Sequence, residues 1–262
     1  MAWRHLMAAP TVPAAVAEAS ARESARFGCS IERLTVPAEG GPAFPPVREA
    51  VLASAADVVI LRYPAERVDW FAKLLTLGRT AVLADSLVYW RLPVGRGRAA
   101  RSRADLRWSP LGDPAVAESL VLDIFAGYAG HYLANPLFDP AAATAGYAEW
   151  ARGSAAEGVC LALYQTGEGE PRAVGLATVE DDGPCTEILL AGIVSAAQGR
   201  GLYAYLLAAV EERARARGAG EIVISTQGHH TRVQRAWSRY GFEPVRTFLT
   251  VHLVRPGLLP QA

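Results

Sequence analysis

Two glycines separated by one residue form the part of the sequence best suited to chemistry. They lie in Gln198-Gly199-Arg200-Gly201-Leu202-Tyr203. Glycine has no Cβ atom, so backbone N–H groups in such a segment are accessible to a phosphate. A helix that begins here adds about half a positive charge, and Arg200 adds a full one. The segment predicts an anion site, although six residues alone are equally compatible with a structural turn.

A buried strand and an amphipathic helix flank these glycines. The strand is predicted over Thr186 to Val194, where the apolar run is almost unbroken. The helix is predicted over Leu202 to Arg217, with a left-handed cap at Gly218 and with Glu211 facing water. This order places the glycines at the amino end of the helix, where unpaired N–H groups point outward.

Residues 115–254 resemble the GCN5-related N-acyltransferases, the GNAT family. The resemblance rests on EILLAGIVSAAQGRGLY (187–203), the helix after it, a strand at Glu221 to Thr226, a helix at about Thr231 to Arg239, Gly241-Phe242 and a last strand near Val245 to Val254. The family's pyrophosphate signature is Gln/Arg-x-x-Gly-x-Gly/Ala. Gln198 and Gly201 match it, whereas Tyr203 stands where the family prefers Gly or Ala. The resemblance implies an α/β (α+β) fold with a mixed, mostly antiparallel sheet.

The same resemblance implies how acetyl-CoA, the acyl donor, would be held. A bulge near Gly192 would splay this strand from the strand at 221–226, leaving backbone groups of Ile193 and Val194 free for the pantetheine amides. The implied coenzyme contacts are Ile193, Val194, Gln198, Gly199, Arg200, Gly201, Leu202, Tyr203, His230 and Trp237. His230 is expected to cap its helix or to contact the coenzyme, and a surface histidine is the alternative.

Glu187 is the predicted general base. In the histone-acetylating branch of the family a glutamate opens the same strand, and its separation from the loop matches that of Glu187 from Gln198. An amine with a pKa near 10 is mostly protonated at neutral pH, so a carboxylate can take its excess proton through water. The alternative is a carboxylate at a strand end in solvent.

The family's usual acid, a tyrosine, would stand where this chain has Trp237. An indole N–H donates a hydrogen bond but does not release its proton at neutral pH. Tyr240, one helical turn later, is the predicted substitute, with Tyr203 and Tyr205 as alternatives. The coenzyme thiolate could also leave without enzymic protonation.

The acceptor amine is expected to contact His131, Tyr132 and Asn135. They lie in GHYLANP (130–136), which the resemblance places over the amine-binding half of the cleft. With the region ahead of it, the arrangement is similar to bacterial acetyltransferases of dTDP-4-amino-4,6-dideoxygalactose. Tyr132, Tyr147 and Trp150 could equally be ordinary core aromatics.

The composition argues against several classes of protein. The chain has 262 residues, is 51% hydrophobic and carries a formal net charge of zero, which argues against nucleic-acid binding. It contains no run of 18 apolar residues, so no membrane association and a cytoplasmic location are expected. Cys160 and Cys185 lie in apolar patterns and are expected to be buried free thiols. His229-His230 without a third ligand predicts no metal site.

Two domains are predicted, at 1–110 and 111–262. The first opens with a helix near Ala14 to Arg26 and ends in an Arg/Gly/Pro-rich linker at Pro93 to Pro114. A shift of 163 positions lays Val58 to Arg91 over Glu221 to Val254, which suggests a partial copy of the same fold. That copy has no Gly-rich loop, so a supporting role is expected for it; chance similarity is the alternative.

The sequence therefore predicts an acyl-CoA-dependent N-acetyltransferase, a monomer or homodimer, acting on a small primary amine such as a nucleotide-linked amino sugar. An alternative keeps the reaction but makes the acceptor a peptide or antibiotic amine in natural-product biosynthesis or resistance. A third possibility is a non-catalytic acyl-CoA-binding protein.

Overall fold

The computed structural model describes residues 3–7, 15–167 and 169–260. The chain divides into two compact units. The first contains Met1–Val88, Ala129–Ala143 and Arg246–Ala262, and the second contains Tyr89–Tyr128 and Thr144–Val245. Neither unit is continuous in sequence, unlike the predicted domains 1–110 and 111–262.

The first unit holds the amino-terminal elements and the end of the last strand. These are α1 (Trp3–Met7), β1 (Glu18–Ala19), α2 (Ala21–Phe27), β2 (Ile31–Thr35), α3 (Phe44–Ala53), β3 (Val58–Pro64) and α4 (Trp70–Leu74). β4 (Thr80–Pro93) begins in this unit. The helix predicted from Ala14 is wrong at its start, because Glu18–Ala19 pair with β2 instead, and Ala14 lies outside the described residues.

The sheet of the first unit has the strand order β1-β2-β3-β10, where β10 is Glu243–Val254. β2 and β3 run parallel, and β10 pairs antiparallel with β3. Every residue of β3 is buried, because apolar side chains cover both faces of the strand. Leu61, Tyr63 and Trp70 belong to one core cluster and Ile60 and Phe138 to another.

The second unit holds the remaining strands and helices. These are β5 (Leu106–Pro110), α5 (Pro114–Ile124), most of α6 (Pro140–Ala156), β6 (Cys160–Gln165), β7 (Arg172–Asp182), β8 (Cys185–Ile193), α7 (Tyr203–Ala216), β9 (Glu221–Gln227) and α8 (Thr231–Tyr240). Their sheet has the order β9-β8-β7-β6-β5, antiparallel except for the parallel pair β8 and β9. The mixed, mostly antiparallel sheet of a GNAT fold is confirmed.

β8 and β9 separate partway along their length. Within the described residues they pair only over Cys185 to Ile188 and Glu221 to Ile224. The register between β7 and β8 shifts at the same level, where Val179 faces Ile188 and Thr178 faces Leu190. The extra residue is therefore Leu189, and the bulge expected near Gly192 is misplaced although the splay is present. A Cβ atom at Gly192 would instead clash with Cγ2 of Ile124 in α5, so the glycine permits close packing of that helix.

The predicted linker at Pro93 to Pro114 is wrong. β5 lies inside it and pairs with β6, and the segment before β5 binds α7 through Glu211. The N–H groups of Gly95 and Gly97 donate to Oε1 of Glu211 at 2.7 and 3.0 Å. Glu211 is consequently buried instead of facing water, because the loop covers the helix surface that periodicity alone assigned to solvent.

The shift of 163 positions coincides with matching structural elements. β3 and β9 begin at Val58 and Glu221, and β4 and β10 begin at Thr80 and Glu243. Gly78 and Gly241, which precede β4 and β10, both have positive φ angles, of 74° and 122°. None of the described helices is long and apolar enough to span a membrane.

Candidate active site

The Gly-rich loop joins β8 to α7 through a short 3-10 helix at Ser195–Ala197. Gly199 and Gly201 have φ angles of 77° and 75°, a left-handed backbone that L side chains rarely adopt. Gln198 Nε2 donates to the carbonyl oxygen of Ile193 at 3.0 Å and ties the loop to the end of β8. The loop from Gln198 to Gly201 is exposed, so its backbone is open to a ligand.

The first turn of α7 faces the same loop. The earliest amides bonded inside the helix are those of Tyr205 and Leu206, both on the carbonyl of Leu202, which is buried at 1% exposure. N–H groups ahead of them point out of the helix end, where the helix dipole favours an anion. The first turn carries no acidic residue, and Arg200 is exposed beside it. The arrangement can bind a phosphate or pyrophosphate.

The end of β8 offers one backbone position to a ligand instead of the two expected. Val194 donates its N–H to the carbonyl of Val174 in β7 at 3.0 Å, so Val194 is not free as predicted. Backbone groups of adjacent residues in a strand point in opposite directions, so the N–H of Ile193 points away from β7 toward the splay. The carbonyl of Ile193 already accepts from Gln198.

Glu187 lies in the paired part of β8, opposite Val223 of β9 and Glu180 of β7. Its side chain is only 6% exposed, so the alternative of a carboxylate in solvent is wrong. The neighbouring Thr186 hydroxyl donates to Asp181, which binds Arg213 of α7. Because successive side chains alternate between the faces of a strand, Glu187 lies on the face away from α7.

Trp237 and Tyr203 are brought together by the fold. Trp237 is 2% exposed, and its Nε1–H donates to Oη of Tyr203 at 3.0 Å. Trp90 packs edge-on against Trp237 with ring centroids 6.1 Å apart. Burial raises the pKa of Tyr203 to about 12, and the Trp237 hydrogen bond opposes that shift.

Tyr240 lies in a position unsuitable for the proton donor that the sequence predicted it to be. It is 2% exposed and donates its hydroxyl proton to Oε2 of Glu211 at 2.6 Å. Burial and the Glu211 hydrogen bond both raise the pKa of Tyr240 far above its usual value. Its carbonyl accepts from Arg98 at 2.6 Å, so the residue anchors the loop that precedes β5.

His230 stands at the N-cap position of α8 but does not cap it with its side chain, contrary to one expectation. Its Nδ1 lies 3.0 Å from Oγ1 of Thr226. Its ring lies 4.7 Å from that of Tyr128, whose hydroxyl donates to Oε1 of Gln227 at the end of β9. The sequence did not single out Tyr128 or Gln227. Gln227 is a polar residue at the end of β9, the strand that separates from β8, and this position is the signal that could have identified it.

The three predicted acceptor residues lie in the first unit, whereas the loop, Glu187 and Trp237 lie in the second. Tyr132 donates to Oε1 of Glu23 at 2.5 Å and accepts from Arg33 at 3.2 Å. Glu23 and Arg33 also form an ion pair with each other, and both contact this hydroxyl. The hydroxyl of Tyr132 is therefore committed to a structural network, which favours the alternative of a core aromatic.

His131 and Asn135 form a second network with His252. The Leu137 N–H donates to Oδ1 of Asn135, so the Asn135 amide nitrogen is the group that faces His252 Nδ1, at 3.4 Å. His252 then carries its proton on Nε2 and donates to Nδ1 of His131 at 3.0 Å. Burial, with the charge of Arg33, lowers the pKa of His252 to about 3. His131 is left with its proton on Nε2 and has no free basic nitrogen.

A cavity of about 370 Å³ adjoins the Gly-rich loop on the side of the β6–β7 hairpin. Arg172, Glu170, Val194 and Arg200 are among its lining residues. The sequence did not single out Arg172 or Glu170, because nothing local distinguishes them from other hairpin residues. Cys160 and Cys185 are buried and free, as predicted, and burial raises the pKa of each thiol to about 12.

A protein-family model matches the part of the chain that contains the Gly-rich loop. Residues 125–242 match the model described as the acetyltransferase (GNAT) family. The match covers a little less than half of the 262-residue chain. The prediction of an N-acetyltransferase is consistent with the family whose model this segment matches. No curated protein matches the sequence significantly.

Solved structures share the fold over more of the chain than the family model covers. A GCN5-related N-acetyltransferase from Sphaerobacter thermophilus has a TM-score of 0.57 at 15% identity; the match covers 77% of this chain and 61% of that one. A functionally unknown protein from Staphylococcus epidermidis has a TM-score of 0.63 at 13% identity, over 97% and 98% of the two chains. A tandem GNAT protein from the clavulanic acid biosynthesis pathway has a TM-score of 0.56 at 12% identity, over 88% and 76%. This chain therefore spans about three fifths of the Sphaerobacter protein.

Proposed function

We propose that the protein transfers an acetyl group from acetyl-CoA to a small-molecule primary amine. The observation that carries the proposal is the exposed loop with left-handed Gly199 and Gly201, set at the amino end of α7 where β8 leaves β9. Such a helix end binds pyrophosphate through its N–H groups, and Arg200 adds a charge-assisted contact. The gap between the strands gives an extended pantetheine arm a place beside Ile193.

Glu187 is the proposed general base. Its carboxylate is buried in β8, on the strand that leads to the loop. The attacking amine must lose a proton, and a carboxylate acting through water can accept it. An N–H group of the splayed strand, that of Ile193, is the proposed donor to the thioester carbonyl as negative charge develops on its oxygen.

A nucleotide-linked amino sugar is the favoured acceptor. A peptide or antibiotic amine is the second candidate, and the fold shared with a tandem GNAT protein of a natural-product pathway favours it.

The test is release of free thiol from acetyl-CoA by the purified full chain. The panel holds a dTDP-linked amino sugar, a peptide with a free α-amine and an aminoglycoside. We expect thiol release with the amino sugar and a stoichiometric acetylated product by mass spectrometry. Release only with the peptide or aminoglycoside would reassign the acceptor. Tight acetyl-CoA binding without release for any amine would replace the enzyme with a non-catalytic acyl-CoA-binding protein.

A further inference from the structure

The tyrosines of the second unit differ in how they use their hydroxyl protons. Three of them donate to protein oxygens: Tyr128 to Gln227 Oε1, Tyr205 to the Arg101 carbonyl at 2.7 Å and Tyr240 to Glu211 Oε2 at 2.6 Å. Tyr203 instead accepts a hydrogen bond, from Trp237. Among the described residues, no acceptor lies within hydrogen-bonding distance of the Tyr203 proton. A proton of this kind is available to a ligand.

Trp237 fixes where the Tyr203 hydroxyl lies. An indole nitrogen can only donate, so Trp237 cannot take the tyrosine proton. With 2% of its surface exposed and Trp90 against it, the indole cannot turn its N–H to water. The oxygen of Tyr203 is thus held by a donor, and its own O–H must point in another direction.

This hydroxyl lies between the helices that follow the separating strands. Tyr203 is the first residue of α7, which follows β8, and Trp237 lies in α8, which follows β9. Their hydrogen bond therefore connects the two elements that continue from the splayed strands. Tyr128 interacts electrostatically with Tyr203 and binds Gln227 at the end of β9. Tyr203 also follows the Gly-rich loop directly, which is the proposed coenzyme site.

One contact accounts for two departures from the family pattern. Tyr203 is large where a Gly or Ala was expected, and Trp237 is an indole where a tyrosine was expected. The structure joins the two side chains by a 3.0 Å hydrogen bond. The phenol removed from α8 is supplied by the first residue of α7.

We propose that Tyr203 is the catalytic proton donor to the departing coenzyme thiolate and that Trp237 is the residue that positions it. The inference rests on the proposed acetyl transfer. The amine nitrogen forms a bond to the carbonyl carbon, and the C–S bond breaks with its electron pair going to sulfur. Sulfur takes the proton of Tyr203. The phenolate that remains accepts a hydrogen bond from the Trp237 N–H. The proton lost by the amine reaches solvent, and the phenolate recovers one from solvent.

The electrostatics keep the donor ready in each cycle. Burial holds the pKa of Tyr203 at about 12, so the phenol is protonated throughout the neutral range. Because the indole N–H binds a phenolate more strongly than a phenol, Trp237 offsets part of the cost of giving up the proton.

The experiment compares Tyr203→Phe with Tyr205→Phe in the full chain, using the amine that the wild type acetylates. Two donors are used: acetyl-CoA and a coenzyme A analogue that ends in a more acidic aromatic thiol. We expect Tyr203→Phe to lower kcat with acetyl-CoA by roughly 10²-fold. The loss of kcat should be much smaller with the analogue, because an acidic thiol leaves without a proton. Tyr205→Phe, whose hydroxyl serves Arg101, should match the wild type with both donors.

A double variant keeps the test valid if the single one folds poorly. Tyr203→Phe/Trp237→Phe removes donor and acceptor together, so no buried N–H loses its partner. It should show the same dependence on the leaving group as Tyr203→Phe, compared at saturating donor so that a change in acetyl-CoA binding does not enter. Equal losses with both donors, or an undiminished kcat, would overturn the role of Tyr203. If the wild type itself releases no thiol, the proposed function fails instead.

Discussion

Two pairs of parallel strands in this molecule begin alike and end differently. β2 and β3 stay paired from Ile31 and Val58 through Thr35 and Arg62, the whole length of β2. β8 and β9 pair for four residues and then separate at the Leu189 bulge. Only the second pair opens a gap whose backbone groups can meet a ligand. In this molecule the bulge marks the point where the second pair opens and the first pair does not.

The helices that follow β2 and β8 differ in the same sense. α3 begins Phe44-Pro45-Pro46, and proline has no N–H to offer. α7 begins Tyr203-Ala204 after two left-handed glycines and retains its amides. The start of α3 therefore lacks amides of the kind that α7 presents to a phosphate.

Gly201→Glu tests the largest expected difference. We expect acetyl-CoA binding to be abolished, because a carboxylate and a strained backbone replace open space where the phosphate would lie. The measurement is isothermal titration with acetyl-CoA. Gly218→Glu is the matched control: Gly218 has a φ of 79° and open space like Gly201, but it lies at the other end of α7. Equal loss in both variants would mean that the loop has no special role.

Glu187→Gln and Glu23→Gln should separate catalysis from stability. Both carboxylates are buried, but Glu23 is paired with Arg33 whereas Glu187 lies in the strand that opens. We expect Glu187→Gln to lower kcat by roughly 10²-fold and to leave acetyl-CoA binding intact. Glu23→Gln should leave kcat per folded molecule unchanged. Thiol-release kinetics at saturating donor measure both, and exposed Glu243→Gln is the control. An active Glu187→Gln protein would remove the proposed base.

Acid should weaken the first unit through Glu23. Burial alone raises the pKa of Glu23, but the hydrogen bond and charge of Arg33 prevail and lower it from 4.5 to about 2. The ionised pair therefore stabilises the fold above pH 4.5, and this stability is lost as the pH falls toward 2. It amounts to about 3 kcal/mol. Urea unfolding across this range should show a shallower pH dependence for Glu23→Gln than for the wild type and for Glu32→Gln. Parallel curves would contradict the pairing.

Tyr240→Phe tests the smallest effect. Tyr240 aligns with Leu77 under the shift of 163 positions, and both side chains are buried. Loss of the hydroxyl leaves the buried Glu211 without one donor and should cost about 1–3 kcal/mol of unfolding free energy. Urea unfolding measures the cost, and kcat should be unaffected. A large fall in kcat at unchanged stability would restore Tyr240 as the acid.

Much of the fold could be predicted because its signals are local. The strands near Val58, Thr186 and Glu221 and the helix after Gly201 follow from apolar periodicity and glycine placement. The element that failed most clearly was the linker, since an Arg- and Pro-rich composition concealed the edge strand β5. Composition reports solvent exposure, and an edge strand is exposed on one side.

The candidate site was predicted unevenly for the same reason. The Gly-rich loop is a contiguous segment, and its glycines are exposed ahead of α7, which agrees with the accessible backbone expected there. The bonds of Tyr240 to Glu211 and of Trp237 to Tyr203 join residues on different helices. No pattern along one helix specifies its partner on the next, so the sequence could not show that Tyr240 is bound to Glu211.

The sequence by itself determined the segment that could bind an anion, because glycine conformation and a helix end are properties of neighbouring residues. Tertiary structure decided which polar groups remain available: it buried Glu211, fixed Tyr240 and committed Tyr132 to Glu23 and Arg33. It also placed the Tyr203 hydroxyl where it accepts the Trp237 N–H. Hydrogen-bond partners are set by packing of elements distant in the chain, and that packing depends on the whole core instead of any one segment.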